Sequence, residues 1–166
     1  MGARSKRVKA VITAIYAVFF SVYLYIGFQP VEAVSYESSG ILSIPSINLT
    51  SEVAKLELTD HQLVTPQTIP GSYYKWKSKV LIIGHSTTIF SDLESVKIGE
   101  KIEYNDEKYI IYDIKTLPKE AVDMEEILKK SPEKTIVVMT CAGEPIGNLD
   151  ATHRLIVYAK IAKQNT

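Results

Sequence analysis

Residues 135–154 read TIVVMTCAGEPIGNLDATHR, and the rest of the chain is interpreted outward from this stretch. Residues 135–139 are β-branched or apolar, which predicts a buried strand. Cys141, the single cysteine among 166 residues, follows almost at once, and the run AGEPIGN after it predicts an end to regular structure. The sequence RLIVYAKI, which begins at Arg154, predicts a second strand. A thiol and a guanidinium are therefore expected at strand ends, where a scaffold presents side chains to solvent.

Cys141 admits two interpretations. A cysteine outside a disulfide is most often a small buried hydrophobe, so the simpler interpretation is that it fills the core. A reactive thiol would need a histidine and a charge-stabilising group beside it.

Three histidines are available in the sequence. His61 lies in the polar turn LTDHQL and is expected to be solvated, while His153 is interpreted as a surface residue or a loop contact. His85 differs, because it ends an apolar strand at residues 79–83 and follows Gly84, which permits close approach. His85 is therefore the candidate base, with a hydrogen-bonded strand-end histidine as the alternative.

The N-terminus has the pattern of a membrane anchor. Residues 1–9 form a basic tail, and residues 10–28 contain no charge. As a helix, residues 10–28 would be roughly 28 Å long, close to the thickness of a bilayer core. Basic residues before the span predict a cytoplasmic N-terminus and an extracytoplasmic remainder. A cleaved signal peptide is the competing interpretation, with Val31-Glu32-Ala33 as its only cleavage-like site, and the uncleaved single-pass anchor is preferred.

Charge and cysteine content exclude two classes of protein. The tail carries four of the 19 basic residues and none of the 19 acidic ones, so the remainder has 15 against 19, a net charge of −4. No basic stripe invites nucleic acid. One cysteine excludes an internal disulfide framework, and a thiol kept outside the cytoplasm is exposed to oxidation, which favours a reactive role.

Residues 29–40 are rich in serine and contain Pro30 and Gly40, which predicts a linker. Residues 41–166 are long enough for one domain. Within that domain the patterns predict an edge strand at 41–49, a strand at 53–58, a helical turn capped by Thr59 or Asp60, and a hairpin turning at Asn105-Asp106. A helix is predicted at 123–130, capped by Asp123. Seven or eight short strands without regular helix alternation favour a mainly β, closed barrel.

Several short motifs occur in an order that resembles the sortase family, the membrane-anchored cysteine transpeptidases of bacterial surfaces. The matching segments are IPSINL at 44–49, IGHS at 83–86, FSDL at 90–93, KIGE at 97–100, VMTC at 138–141 and RLIV at 154–157. The resemblance extends over residues 41–162. Two positions depart from the family pattern: Val138 stands where Leu or Thr is frequent, and Ser86 follows the histidine where arginine is frequent.

The resemblance implies roles for four residues. Cys141 would attack a peptide carbonyl and form a thioester, and His85 would accept the thiol proton and then protonate the leaving amine. Arg154 would hold the oxyanion or the substrate backbone, with ion pairing to Asp150 as the purely structural alternative. Thr140 would line the substrate groove and assist at the oxyanion.

The resemblance also implies a substrate and partners. The substrate would be an extended sorting signal of the Leu-Pro-x-Thr-Gly type on a surface protein, cleaved after threonine in a groove walled by the helix at 123–130. The acceptor would be an amine, either a peptidoglycan precursor or a pilin lysine, with water as a third choice. No cofactor or metal is required, although Glu94, Glu100 and Glu103 are candidate ligands for a modulating calcium ion.

Two other classes of function are weighed against the transpeptidase. An inactive membrane-tethered barrel could serve binding or assembly, with Cys141 as core filler, but it would not require histidine, cysteine and arginine together at strand ends. A tethered thiol oxidoreductase is disfavoured because the chain has no Cys-x-x-Cys pair.

Overall fold

The computed structural model describes Tyr16 and residues 36–59, 62–147 and 150–163. Tyr36–Thr166 form one compact unit. The anchor predicted at residues 10–28 lies, Tyr16 apart, outside the described residues, as do Asp60 and His61. Among the described residues there is no helix with the length and hydropathy needed to cross a membrane.

Eight strands close into a barrel, which confirms the predicted mainly β, closed architecture. The barrel strands are β1 (Ser38–Ile44), β2 (Leu49–Lys55), β5 (Gly71–Trp76), β6 (Lys79–Ile83), β7 (Lys101–Tyr104), β8 (Glu107–Pro118), β9 (Thr135–Pro145) and β10 (Ala151–Ile161). Their order around the barrel is β1-β2-β5-β6-β9-β10-β8-β7; the pairs β2–β5 and β6–β9 are parallel, and the other neighbours are antiparallel. A small separate hairpin is formed by β3 (Leu58–Thr59) and β4 (Gln62–Leu63).

Strands β6, β9 and β10 are buried on both faces, which explains their nearly continuous apolar sequences. Side chains alternate along a strand, so every second residue points into the barrel. The inward set packs in the main core and includes Val80, Ile82, Ile136, Val138, Leu155 and Val157. The outward set, Leu81, Val137 and Ile156, forms a second cluster with Ile127.

The helix that packs on this second cluster is α1 (Met124–Ile127), and it is shorter than the helix predicted at 123–130. Its start is as predicted, since the Asp123 carboxylate accepts hydrogen bonds from the backbone N–H groups of the following turn. Carbonyls just past its end are satisfied by strand side chains: the Trp76 indole N–H donates to the Leu128 carbonyl (3.0 Å), and the Lys79 ammonium donates to the Lys129 carbonyl (3.2 Å).

The first predicted strand, 41–49, is interrupted rather than continuous. Pro45–Ile47 form a 3-10 turn, and Asn48 adopts a left-handed φ of 52°, so the chain reverses from β1 into β2. The prediction of an edge strand is wrong, because β1 pairs with β2 on one side and β7 on the other. The predicted helical turn at Thr59 or Asp60 is replaced by the β3–β4 hairpin, whose Leu63 packs on the outer cluster.

The β7–β8 hairpin turns at Asn105-Asp106, as predicted, with both residues at positive φ. By contrast, β9 does not end after Cys141. It continues to Pro145 through a bulge at Gly143, where β9 has one residue more than β10 between paired positions. Gly143 has φ 78°, a conformation that glycine adopts without the strain a side chain would cause.

Candidate active site

Strand register brings Cys141, His85 and Arg154 together. Arg154 on β10 lies directly opposite Cys141 on β9. Ile83 on β6 pairs in parallel with Met139, two residues before His85 and Cys141 respectively. Because side chains alternate, these three residues share the outward face of the barrel wall, while Thr140 shares the inward face.

Gly84 fixes the position of His85 beside Cys141. The Gly84 N–H donates to the Met139 carbonyl (3.3 Å), and the Gly84 carbonyl accepts the Thr140 hydroxyl (2.7 Å). A Cβ atom at Gly84 would lie 2.7 Å from the Phe90 ring, so only glycine fits beneath that ring. The His85 carbonyl in turn accepts hydrogen bonds from the N–H groups of Thr88 (3.3 Å) and Phe90 (3.1 Å). The backbone on both sides of the histidine is therefore fixed by hydrogen bonds.

These side chains lie at one end of a groove of about 790 Å³. Its polar end is formed by His85, Thr140, Cys141, Asp150 and Arg154. The remainder is mostly apolar, lined by Leu63, Val64, Thr65, Gln67, Ile83 and Met139. The wall is thus the β3–β4 hairpin and the segment after it. The helix at 123–130, expected with its loops to form one wall, contributes no residue to this lining, and α1 packs on Leu81, Val137 and Ile156.

A second, smaller cavity of about 70 Å³ adjoins the groove. Both are lined by His85, Cys141 and Asp150. The small cavity is also lined by Ser86, Thr87, Pro145 and Gly147. The thiol and the imidazole therefore lie where the two cavities meet.

The Arg154 guanidinium is largely buried, with 16% of its side chain exposed. Its Nη2 donates to Asp150 Oδ1 (2.6 Å), and its Nη1 donates to the carbonyls of Ala151 and His153 (2.9 Å each). The ion pair that the sequence offered as the structural alternative is therefore present. Arg154 nevertheless lines the groove beside Cys141, so pairing with Asp150 does not remove it from the site.

A second cation, Lys119, also contacts Asp150, through Oδ2. The sequence analysis did not find Lys119, which is 31 residues away and belongs to the turn after β8. Hydrogen bonds from Lys119, Arg154 and the Ala151 N–H, in that order of importance, hold the pKa of Asp150 well below its usual range. The carboxylate is ionised throughout the neutral range.

Thr140 lines the groove, but its hydroxyl proton is committed to the Gly84 carbonyl and its side chain is buried. This contact joins the strand that carries Cys141 to the strand end that carries His85. The expected contribution of Thr140 to the oxyanion would require that hydrogen bond to be exchanged for another.

Of the other two histidines, only His153 lies within the described residues. His153 Nδ1 is hydrogen-bonded to the Thr152 hydroxyl (2.8 Å), and His153 is not among the residues that line either cavity. His61 lies outside the described residues. His85 is therefore the histidine that the structure brings to Cys141.

The three glutamates considered for calcium have other contacts or lie apart. Glu100 accepts the Lys97 N–H (3.0 Å), and hydrogen bonds from Ser46 and then Lys97 lower its pKa. Glu103 pairs with Lys108 at 3.9 Å. Within the ranges that the structure describes, no three His, Cys, Asp or Glu side chains are grouped closely enough to hold a metal ion.

Comparison with known proteins agrees with this geometry. The family model for the sortase domain matches residues 42–162. A sortase from Actinomyces oris superposes with a TM-score of 0.60 at 22% identity, covering 79% of this chain and 83% of the other. Sortase A from Corynebacterium diphtheriae, as a lid mutant, also gives 0.60 at 22% identity, covering 81% and 75%.

Sortase C2 of pilus island 1 from group B Streptococcus gives a TM-score of 0.60 at 21% identity, covering 78% of this chain and 76% of the other. No curated protein matches the sequence closely enough to count as a relative. At these identities the solved structures establish the fold, while the family model spans most of the chain and includes His85, Cys141 and Arg154. On that evidence, the chain belongs to the sortase family.

Proposed function

We propose that this protein is a cysteine transpeptidase that cleaves a sorting signal of the Leu-Pro-x-Thr-Gly type and transfers the acyl part to an amine. The observation that supports this most is the convergence of His85, Cys141 and Arg154 from three strands at the polar end of one groove. A nucleophile, a base and a fixed cation are the groups that acyl transfer through a thioester requires.

The reaction proceeds in two balanced steps. In the first, the Cys141 sulfur attacks the threonine carbonyl, His85 takes the thiol proton and passes it to the leaving glycine amine, and a thioester remains. In the second, an acceptor amine attacks the thioester, loses its proton to His85, and the proton returns to the departing sulfur. Arg154 offers guanidinium N–H groups to the oxygen that becomes negative in both tetrahedral intermediates.

The groove favours an extended, partly apolar peptide. Leu63, Val64, Ile83 and Met139 supply apolar contacts next to the thiol, which suits the leucine and proline of such a signal. The acyl part would lie in the groove, and the leaving and entering amines would use the small cavity beyond His85 and Cys141. The acceptor would be a peptidoglycan precursor or a pilin lysine.

The location proposed for the protein is the outer side of a cell membrane. The basic tail at residues 1–9 and the uncharged segment at 10–28 support a single-pass anchor with a cytoplasmic N-terminus. Substrates with their own membrane segment would be confined to the same surface, which raises their effective concentration at the groove.

The test is to incubate the protein with a fluorogenic sorting peptide, with and without an amine acceptor, and to identify the products by mass spectrometry. Cleavage between threonine and glycine, with a conjugate formed only when the amine is present, is the expected result. Cys141→Ala should abolish both products without lowering the melting temperature appreciably, because the substitution is small.

A different result would favour the inactive binding module. If no sorting peptide is cleaved and a thiol reagent labels Cys141 only after denaturant is added, Cys141 is a packing residue and the proposed function is wrong.

A further inference from the structure

The contacts of Asp150 point to a role beyond stabilising its loop. We propose that Asp150, held in place by Lys119, is a positioning residue that sets the orientation of the Arg154 guanidinium at the thiol. The inference rests on the proposed transpeptidase function, because it assigns Arg154 to the reacting carbonyl.

Arginine is long and flexible, so a catalytic guanidinium has to be held. Three of its five N–H groups are engaged by nearby residues of the chain: Nη1 by two backbone carbonyls and Nη2 by Asp150. The two carbonyls belong to Ala151 and His153, which lie on the same strand as Arg154 and move with it. Asp150 differs from these two acceptors because it lies before the strand. Its position is fixed by a contact with a second element of the fold.

That second element is the turn after β8. Lys119 contacts Asp150 Oδ2, while Oδ1 accepts both Arg154 Nη2 and the Ala151 N–H (2.9 Å). In addition, the Asp150 carbonyl accepts the Ile146 N–H (2.8 Å), which closes the loop between β9 and β10. The carboxylate is thus held by partners on two sides of the site and cannot rotate away from Arg154 without breaking them.

Lys119 also accounts for the charge of the cluster. A carboxylate paired with Arg154 alone would cancel the positive charge needed beside a developing oxyanion. With Lys119 added, two cations share one anion and the cluster keeps a net charge of +1. The arrangement therefore fixes Arg154 in direction while leaving positive potential at the groove.

The placement of Asp150 supports a role at the site rather than in the loop alone. Asp150 lines both the groove and the small cavity, next to His85 and Cys141. An exposed surface pair would contribute little to stability or activity, and the pair of Asp113 with Lys115 (3.2 Å) is such a pair elsewhere on the barrel. The two acids have similar exposure, 34% for Asp150 and 37% for Asp113, so Asp113→Ala is a matched control for Asp150→Ala.

The first arm of the test is a double-mutant cycle on the full-length chain, with Asp150→Ala, Arg154→Ala and both together. Asp150→Ala should lower kcat by about 10- to 100-fold, as expected when a group at the reacting centre is misplaced. Asp150→Ala and Arg154→Ala should show the same pattern of change, that is, the same ratio of the effect on kcat to the effect on KM. The double variant should be no more than about twofold worse than Arg154→Ala alone, because Asp150 acts through Arg154. The kcat of the control, Asp113→Ala, should stay within about twofold of the wild-type value.

The second arm does not depend on turnover. The ¹⁵N-edited NMR signal of the Arg154 Nη2–H group, which donates to Asp150, should be distinct and protected from exchange in the wild type, and averaged or exchange-broadened in Asp150→Ala. Lys119→Met, which frees Asp150 Oδ2, should broaden that signal less than Asp150→Ala does and lower kcat about two- to fivefold, the range of a partly exposed ion pair. If Asp150→Ala does not fold, Asp150→Asn takes its place in both arms.

The two hypotheses fail in different ways. If no variant, including the wild type, cleaves a sorting peptide, the proposed function is wrong and the NMR arm alone decides whether Asp150 orients Arg154. Multiplicative effects in the cycle, or an Arg154 signal that is unchanged in Asp150→Ala, would overturn the positioning role. A lowered melting temperature with kcat and KM unchanged would also overturn it, because it would show a structural ion pair only.

Discussion

The hydroxyl of Thr140 shows how a single side chain can link the two chain segments that carry His85 and Cys141, the residues proposed to react, without touching either. It donates to the Gly84 carbonyl (2.7 Å), and the residues that follow Gly84 and Thr140 are His85 and Cys141. Removing the hydroxyl leaves a buried carbonyl without this donor, which costs about 1–3 kcal/mol of the free energy of unfolding.

Thr140→Val should therefore lower both the melting temperature and kcat, while Thr140→Ser, which keeps the hydroxyl, should restore most of each. The rate at which a small alkylating reagent modifies Cys141 without substrate should also fall in Thr140→Val, because the imidazole would be displaced from the thiol. An unchanged alkylation rate with a raised KM would show instead that Thr140 contacts substrate, as the sequence suggested.

His85 and His153 form a second contrast at this scale. Both are near the ends of strands, but only His85 lines the groove with Cys141, while His153 is bonded to its neighbour Thr152. His85→Ala should lower kcat by at least about 100-fold, the usual loss when an acid–base group is removed. His153→Ala should leave kcat within a few-fold of wild type, and the reverse pattern would contradict the assignment of the base.

Residue types and their order were enough to single out Cys141, His85 and Arg154 as candidates, and the structure brings these three residues together. The surroundings of these groups were not predictable in the same way. Lys119 meets Asp150 only because β8 and β10 are neighbours in the barrel. The Thr140–Gly84 bond likewise depends on the parallel pairing of β6 with β9, which no local pattern reveals.

At the scale of elements, periodicity predicted which segments are strands better than it predicted where they end. The strand at 79–83 and the hairpin at Asn105-Asp106 were found because their patterns are local. The end of β9 was misplaced because glycine and proline after Cys141 were interpreted as breaking the strand, whereas Gly143 forms a bulge and pairing with β10 continues. Long-range pairing therefore overrides local strand-breaking signals here.

The bulge carries a prediction with a matched control. A Cβ at Gly143 would lie 2.5 Å from Thr152 Oγ1 and 2.7 Å from His153 Nδ1, and Gly143 has a positive φ. Gly99 also has a positive φ, but a Cβ there would meet nothing within 4 Å. Gly99→Ala should lose roughly 1–2 kcal/mol of unfolding free energy from backbone strain alone. Gly143→Ala should lose more.

The two variants should also differ in activity. The clash at Gly143 is with the side chains of Thr152 and His153, and its relief would displace them next to Arg154, which is paired with Cys141. Gly143→Ala should therefore lower kcat as well as the melting temperature, while Gly99→Ala should lower the melting temperature only. Equal kcat values for the two variants would show that the bulge does not determine the geometry of the site.

For the molecule as a whole, closure of the barrel depends on residues that the sequence placed in a linker. Strand β1 begins at Ser38, so the last part of the segment predicted as linker, 29–40, pairs with β2. The Ser39 hydroxyl is hydrogen-bonded to Ser72 Oγ (2.6 Å), Tyr104 OH (2.9 Å) and the Val53 carbonyl (3.2 Å). Serine and glycine in this segment resemble linker composition, but here they allow three strands to approach closely.

Two truncations test this boundary. A protein of residues 36–166 should be soluble, folded and as active on a sorting peptide as the full chain, because it keeps every contact of Ser39. A protein of residues 41–166 removes Ser39 and the first pairs of β1, leaving the buried Ser72 hydroxyl without one partner. It should lose at least about 2 kcal/mol of unfolding free energy, given about 1–3 kcal/mol for each orphaned polar group.

Ser39→Ala within 36–166 should show part of that loss in a denaturant titration. Equal stability of the two truncated proteins would mean that the barrel closes without residues 36–40, and that the domain begins where the sequence alone placed it.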